Sequence, residues 1–147
     1  MKHWLSLTVF FALASSSAAV PTANVTATTA SFDNAYDNAK GSLDTVACSG
    51  TNALTIATKG ARTFGALPSF PRIGGAPAVA GFNSPNCGSC WALTFENETI
   101  NVLAIDVAAS SFNIAQAALD ELTGGQAIQL GRVNVTAVEV APSACGL

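Results

Sequence analysis

Four cysteines, Cys48, Cys87, Cys90 and Cys145, constrain this 147-residue chain more than any other feature, and two of them sit close together in "CGSCW" at 87–91. What they do depends on where the protein lives. The chain opens "MKHWLSLTVFFALASSSAAVP", with a basic Lys2, an apolar run from Trp4 to Ala14 and then small residues, which is the layout of a secretory signal peptide over residues 1–18. The apolar run is too short to span a bilayer. Cleavage after Ala18 or Ala19 leaves about 128 residues, the size of one domain. In an oxidising compartment an even cysteine count reads as disulfides, here two, and four cysteines allow three pairings. A thioredoxin-like site needs βαβ context, which this motif lacks, and an all-cysteine zinc site needs two close pairs, whereas Cys48 and Cys145 are isolated. The cysteines are therefore scaffold.

Removing the leader also removes His3, the only histidine. Without it there is no Ser-His-Asp or Cys-His catalysis and no histidine-containing metal site, and the sequence suggests neither metal nor cofactor. Six basic residues less Lys2 leave five, scattered at Lys40, Lys59, Arg62, Arg72 and Arg132, against nine acidic ones. That distribution offers no footprint for nucleic acid or for an anionic membrane. A mean hydropathy of +0.41 with a tenth of residues charged is apolar for a secreted protein and suits contact with a wall, an interface or a partner.

Along the chain, residues 19–30 are Thr/Ala-rich and read as a flexible leader, with the ordered domain at 31–147. "SFDNAYDN" reads as a first strand ending in a turn, and "TVAC" and "ALTIATKG" as short β segments. The Pro- and Gly-punctuated "GALPSFPRIGGAP" reads as an irregular loop. "WALTF" and "TINVLAID" fit a hairpin whose second strand is buried on both faces and ends at Asp106. "SSFNIAQAALDELTGG" predicts a helix capped at Ser110 or Ser111 and stopped at Gly124, with Asn113 and Gln116 one turn apart off its apolar stripe. "GRVNVTAVEV" predicts a closing strand with a bulge at Val138 and with Asn134 outward. Many short strands and one clear helix favour a barrel.

These segments resemble the cerato-platanin family across the whole mature domain. The resemblance is carried by "YDN" at 36–38, "TVACS" at 45–49, "FGALPSFPRIGGAPAVAGFNS" at 64–84, "NCGSCWALTF" at 86–95, "INVLAID" at 100–106, "FNIAQAALDELT" at 112–123, "GRVNV" at 131–135 and the terminal "CGL". It implies a mainly β fold with short helices, a six-stranded double-psi β-barrel related to that of expansins, with disulfides Cys48–Cys87 and Cys90–Cys145. It also implies a non-catalytic protein, secreted to the medium or the fungal wall, that binds chitin or N-acetylglucosamine oligomers and wall polysaccharides. Expansin-like loosening of polysaccharide and elicitation of plant defence, through a host receptor, belong to the same implication. Two departures stand out: Val107 replaces the histidine common after the barrel aspartate, and Phe82 replaces the tryptophan common before "NS".

Asp106 matches the catalytic aspartate of related barrel enzymes, and Asn113, Gln116 and Tyr36 are the other candidate carbohydrate-binding residues. The plain alternatives are an aspartate accepting backbone hydrogen bonds at a turn, solvated amides and a core tyrosine. Trp91 is expected against the disulfides. Two other functions compete with binding: a lytic glycan-cleaving enzyme using Asp106 alone, since hydrolysis normally needs a second carboxylate, and a surface-active coat protein. Sequons stand at Asn24, Asn97 and Asn134.

Overall fold

The computed structural model describes residues 23–50, 57 and 60–147. The segment read as a signal peptide and most of "ALTIATKG" lie outside the described residues. Six strands close into a barrel: β1 (Thr26–Phe32), β2 (Ile73–Ala76), β3 (Cys90–Phe95), β4 (Glu98–Val107), β5 (Phe112–Ile114) and β6 (Arg132–Val140), in the spatial order β1-β5-β2-β4-β3-β6. The pairs β1/β5 and β2/β4 are parallel and the other four are antiparallel. Helix α1 (Gln116–Thr123) packs against β4, and a short α2 (Ala127–Leu130) follows it.

The β3–β4 hairpin forms as its sequence predicts, turning at Glu96 with φ 52°. Val102, Leu103, Ala104 and Ile105 of β4 are all buried, because one face lines the barrel interior and the other meets α1, where Leu119 and Leu122 are also fully buried. β6 alternates buried Val133, Val135 and Ala137 with exposed Arg132, Asn134 and Thr136. Burying a Val or Leu side chain contributes about 1.5–3 kcal/mol, so these alternations set the register.

Several expectations are corrected. Residues 26–30 are not leader but most of β1, paired with both β5 and β6; a strand this rich in Thr and Ala is held by its two neighbours and buries only Ala30 completely. "DNAYD" is not strand: Asp33 caps a 3-10 turn at Asn34–Asp37 by accepting the Ala35 N–H at 2.8 Å. "TVAC" is preceded and entered by another such turn, Leu43–Thr45, rather than forming a strand. The loop "GALPSFPRIGGAP" contains β2, whose four residues are all buried. Gly74 sits so close to β5 that an added Cβ would lie 2.6 Å from Ile114 Cα, so the strand tolerates no side chain there. The irregularity expected at Val138 is absent, since β3 and β6 pair without a slip from Thr94↔Thr136 to Cys90↔Val140; the register shift falls between Gly74 and Gly75 instead.

The helix is the largest correction. Residues 112–114 follow a period of two, with Phe112 and Ile114 buried and Asn113 between them, so the chain is still strand where a helical cap was expected. The helix begins only at Gln116. Its first amides are capped by a distant residue: Asp37 accepts the Gln116 N–H at 2.8 Å and the Ala117 N–H at 2.9 Å. Gly124, at φ 66°, ends it as expected.

Two disulfides complete the frame, Cys48–Cys87 with Cα atoms 5.4 Å apart and Cys90–Cys145 at 5.8 Å. The neighbours in "CGSCW" are thus tied in opposite directions, one to the segment beside β4 and one to the C-terminal turn Pro142–Cys145. Trp91 does not lie on them. It alternates with Cys90 along β3, so its ring turns to the other side of the sheet and packs on Phe112, with centroids 5.6 Å apart.

Candidate functional site: an aspartate at the barrel rim

β4 delivers Asp106 to the edge of the barrel beside Gly75 of β2, and Gly75 in turn pairs with Asn113 of β5. An added Cβ on Gly75 would stand 2.8 Å from the Val107 carbonyl, so the absence of a side chain is what lets β2 approach the end of β4. The Asp106 carboxylate is half-buried and accepts three hydrogen bonds. Oδ1 takes the backbone N–H groups of Ala47 at 2.9 Å and Val107 at 2.8 Å, and Oδ2 takes the Tyr36 hydroxyl at 2.9 Å. A carboxylate presents about four acceptor positions, so roughly one is left for a ligand.

Tyr36 comes from the 3-10 turn after β1. Its ring is 7% exposed and tilted against Phe64 at 6.1 Å, which leaves no open face for a sugar ring; Tyr36 is the core tyrosine of the plain alternative, with its hydroxyl aimed at Asp106. Burial first, and then the adjoining Asp106 carboxylate, hold the phenol well above the ordinary tyrosine range, so it stays a proton donor.

Above this pair lies an open depression of about 720 Å³. Its polar wall comes from Asp33, Asn34, Asn38, Ser42 and Thr45. Part of that wall is committed to its own backbone: Asp33 Oδ1 to the Ala35 N–H, Asn38 Oδ1 to the Lys40 N–H and Ser42 Oγ to the Asp44 N–H. The second oxygen of Asp33 and the amide nitrogen of Asn38 remain to face a ligand. The result is a rigid, shallow, hydrogen-bonding surface with two carboxylates.

Asn113 and Gln116 are not a helical pair and neither lines the depression. Asn113 accepts the Ser31 hydroxyl at 3.1 Å on the adjoining strand row, while Gln116 accepts the Asn34 amide at 2.7 Å and reaches Asp120 at 3.4 Å. Gln116 thereby fixes Asn34, one of the wall residues. Asp33, Asn34, Asn38, Ser42 and Thr45 are not singled out in the sequence; the density of Asp and Asn around Tyr36 in "DNAYDN" is a signal for the first three, and Ser42 and Thr45 carry none. All three sequon asparagines are exposed, Asn24 ahead of β1, Asn97 in the β3–β4 turn and Asn134 in β6. No helix among the described residues is long and apolar enough to cross a membrane.

The fold and site define a small, disulfide-stapled, closed β-barrel carrying an aspartate-centred polar depression on its rim. The cerato-platanin family model matches residues 28–147, and the chain belongs to the cerato-platanin family. It is 47% identical over 151 residues to "Allergen Asp f 15" of Aspergillus fumigatus, covering 99% of this chain and 97% of that protein. To "Cerato-platanin" of Ceratocystis fimbriata f. sp. platani it is 37% identical over 125 residues, 84% of this chain and 90% of the relative. Among solved structures, the crystal structure of cerato-platanin 2 from M. perniciosa superposes with a TM-score of 0.77 at 48% identity, over 83% of this chain and all 100% of that one. The solution structure of the fungal elicitor cerato-platanin gives 0.70 at 36% identity, over 80% and 95% of the two chains.

Proposed function

We propose that this protein acts outside the fungal cell as a non-catalytic carbohydrate-binding protein that takes chitin oligomers at the Asp106 depression. On this reading it loosens wall polysaccharide in the manner of expansins, without cleaving it, and plant hosts detect it. One observation carries the binding: the Tyr36–Asp106 pair and the Asp33–Asn38 turn present fixed, partly unpaired acceptors and donors in an open surface, the arrangement that suits sugar hydroxyls and acetamides. A few such hydrogen bonds at about 1 kcal/mol net each correspond to weak affinity, roughly micromolar to millimolar.

Asp33 in the same depression favours a second reading, because it supplies the other carboxylate that glycan cleavage generally uses. Against it, three donors already hold Asp106, and one Asp33 oxygen is spent on a turn cap. Calorimetric titration with N-acetylglucosamine tetramer, run beside a reducing-end assay on chitin and peptidoglycan, separates the two. Saturable binding without new reducing ends is expected. New reducing ends that vanish in Asp106→Asn support cleavage, and no heat of binding at millimolar oligomer removes the proposal.

A further inference from the structure

At the end of the barrel where β2 runs past Gly75, the partner of Asp106, to Pro77 and Ala78, the interior is open. Trp91 shares its side of β3 with the fully buried Leu93, and Phe112 pairs in register with the fully buried Ala30, so both rings belong to the inner lining. Thr26 and Thr28, two and four residues before Ala30, continue that inner side of β1 toward solvent. Together with Pro77, Ala78 and Ser110 they rim a cavity of about 360 Å³ whose floor is the Trp91–Phe112 pair.

We propose that this barrel mouth is a second binding site, for a small uncharged molecule with a planar aromatic ring. The volume lies in the range of small-molecule pockets, and barrel mouths are a usual place for them. The two floor rings are inclined at 58°, and a third ring can extend such an edge-to-face pair. Chemistry at the floor selects against a sugar. The indole N–H already donates to Ser89 Oγ at 2.9 Å, and the Thr28 hydroxyl donates to the Ser110 carbonyl at 3.4 Å, so the only uncommitted polar side chains are the Thr26 and Ser110 hydroxyls at the rim. They suit one or two ligand hydroxyls, not the many of a pyranose. No lining residue is charged, and the nearest acid in register, Glu139 opposite Trp91, disfavours an anion.

The probe is N-phenyl-1-naphthylamine, neutral, aromatic and brightly emissive only away from water. With the mature protein, its emission should rise and saturate at one probe per chain, with a dissociation constant in the micromolar range. Ser110→Phe and, separately, Thr26→Phe fill the mouth from exposed positions and should each weaken binding at least tenfold while the thermal midpoint holds. Flat emission with the parent protein overturns the proposal. So does undiminished binding in both variants, which would place the probe elsewhere, or displacement of the probe by N-acetylglucosamine tetramer, which would make the mouth a sugar subsite.

Discussion

The bond between Tyr36 and Asp106 links the site to the fold, and its energy can be read from a double-mutant cycle. Tyr36→Phe removes one donor from a carboxylate and leaves the buried ring and its contact with Phe64 in place. Hydrogen bonds to charged groups contribute about 1.5–3 kcal/mol, and the depression lets water reach Oδ2, so a loss near the low end, about 1.5 kcal/mol, is expected. Asp106→Asn keeps the amide oxygen for the Ala47 and Val107 N–H groups and turns the amide N–H toward the phenol, which then accepts instead of donating. It forfeits only the charge assistance, about 1 kcal/mol. If the two side chains interact as drawn, the double variant costs less than the sum of the singles by about 1 kcal/mol. For a domain of this size 1 kcal/mol corresponds to roughly 3–6 °C in Tm. Urea unfolding followed by circular dichroism resolves all four corners. Since Asp106→Asn still offers the phenol an N–H, losses that add to within about 0.3 kcal/mol would mean that the Tyr36 hydroxyl gains nothing from the carboxylate charge, which would contradict a phenol donating to an ionised Asp106.

Tyr36 is the chain's only tyrosine, so tyrosinate absorbance reads it alone; its raised folded pKa contributes stability that is complete below about pH 10, the unfolded value, and is lost as pH rises above it toward the folded value. Ionisation near pH 10 with the barrel still folded would contradict the burial. Replacing Cys48 and Cys87 together by serine should cost up to about 4 kcal/mol, the chain-entropy value for a loop of this length, and unreduced peptide mapping should link Cys48 with Cys87 and Cys90 with Cys145; a Cys87–Cys90 peptide would refute the pairing. Asp37→Ala strips two amides at the start of α1 of their acceptor and should cost about 1–2 kcal/mol, with Asp37→Asn intermediate; an unchanged urea midpoint in Asp37→Ala would show that the cap is dispensable.

What could be read from the residues follows from how strongly each segment is patterned. The β3–β4 hairpin and β6 are long enough for period-two alternation to emerge, and in β4 the unbroken "INVLAI" announces a strand covered on both faces. β2 and β5 have four and three residues, two of them glycine in β2, so no period can be seen and only their pairing with longer strands makes them strands. β1 escaped because its neighbours, not its own hydrophobicity, hold it. The start of α1 escaped for a similar reason: its cap is Asp37, some 80 residues away in sequence, where a local Ser was the natural candidate. At the site, Asp106 and Tyr36 were legible as individual residues, but their contact spans 70 residues and the wall around them is assembled from turns that carry no periodic signal.

The proposed function centres on a carbohydrate held at the Asp106 depression. Backbone amide chemical shifts, followed while N-acetylglucosamine tetramer is titrated into the mature protein, test it most directly. The largest changes should fall on Asp33–Asn38, Ser42–Val46 and Asp106–Val107, saturating together and shrinking severalfold in Asp106→Asn. Saturable changes confined to other parts of the barrel, or none at millimolar tetramer, would contradict it.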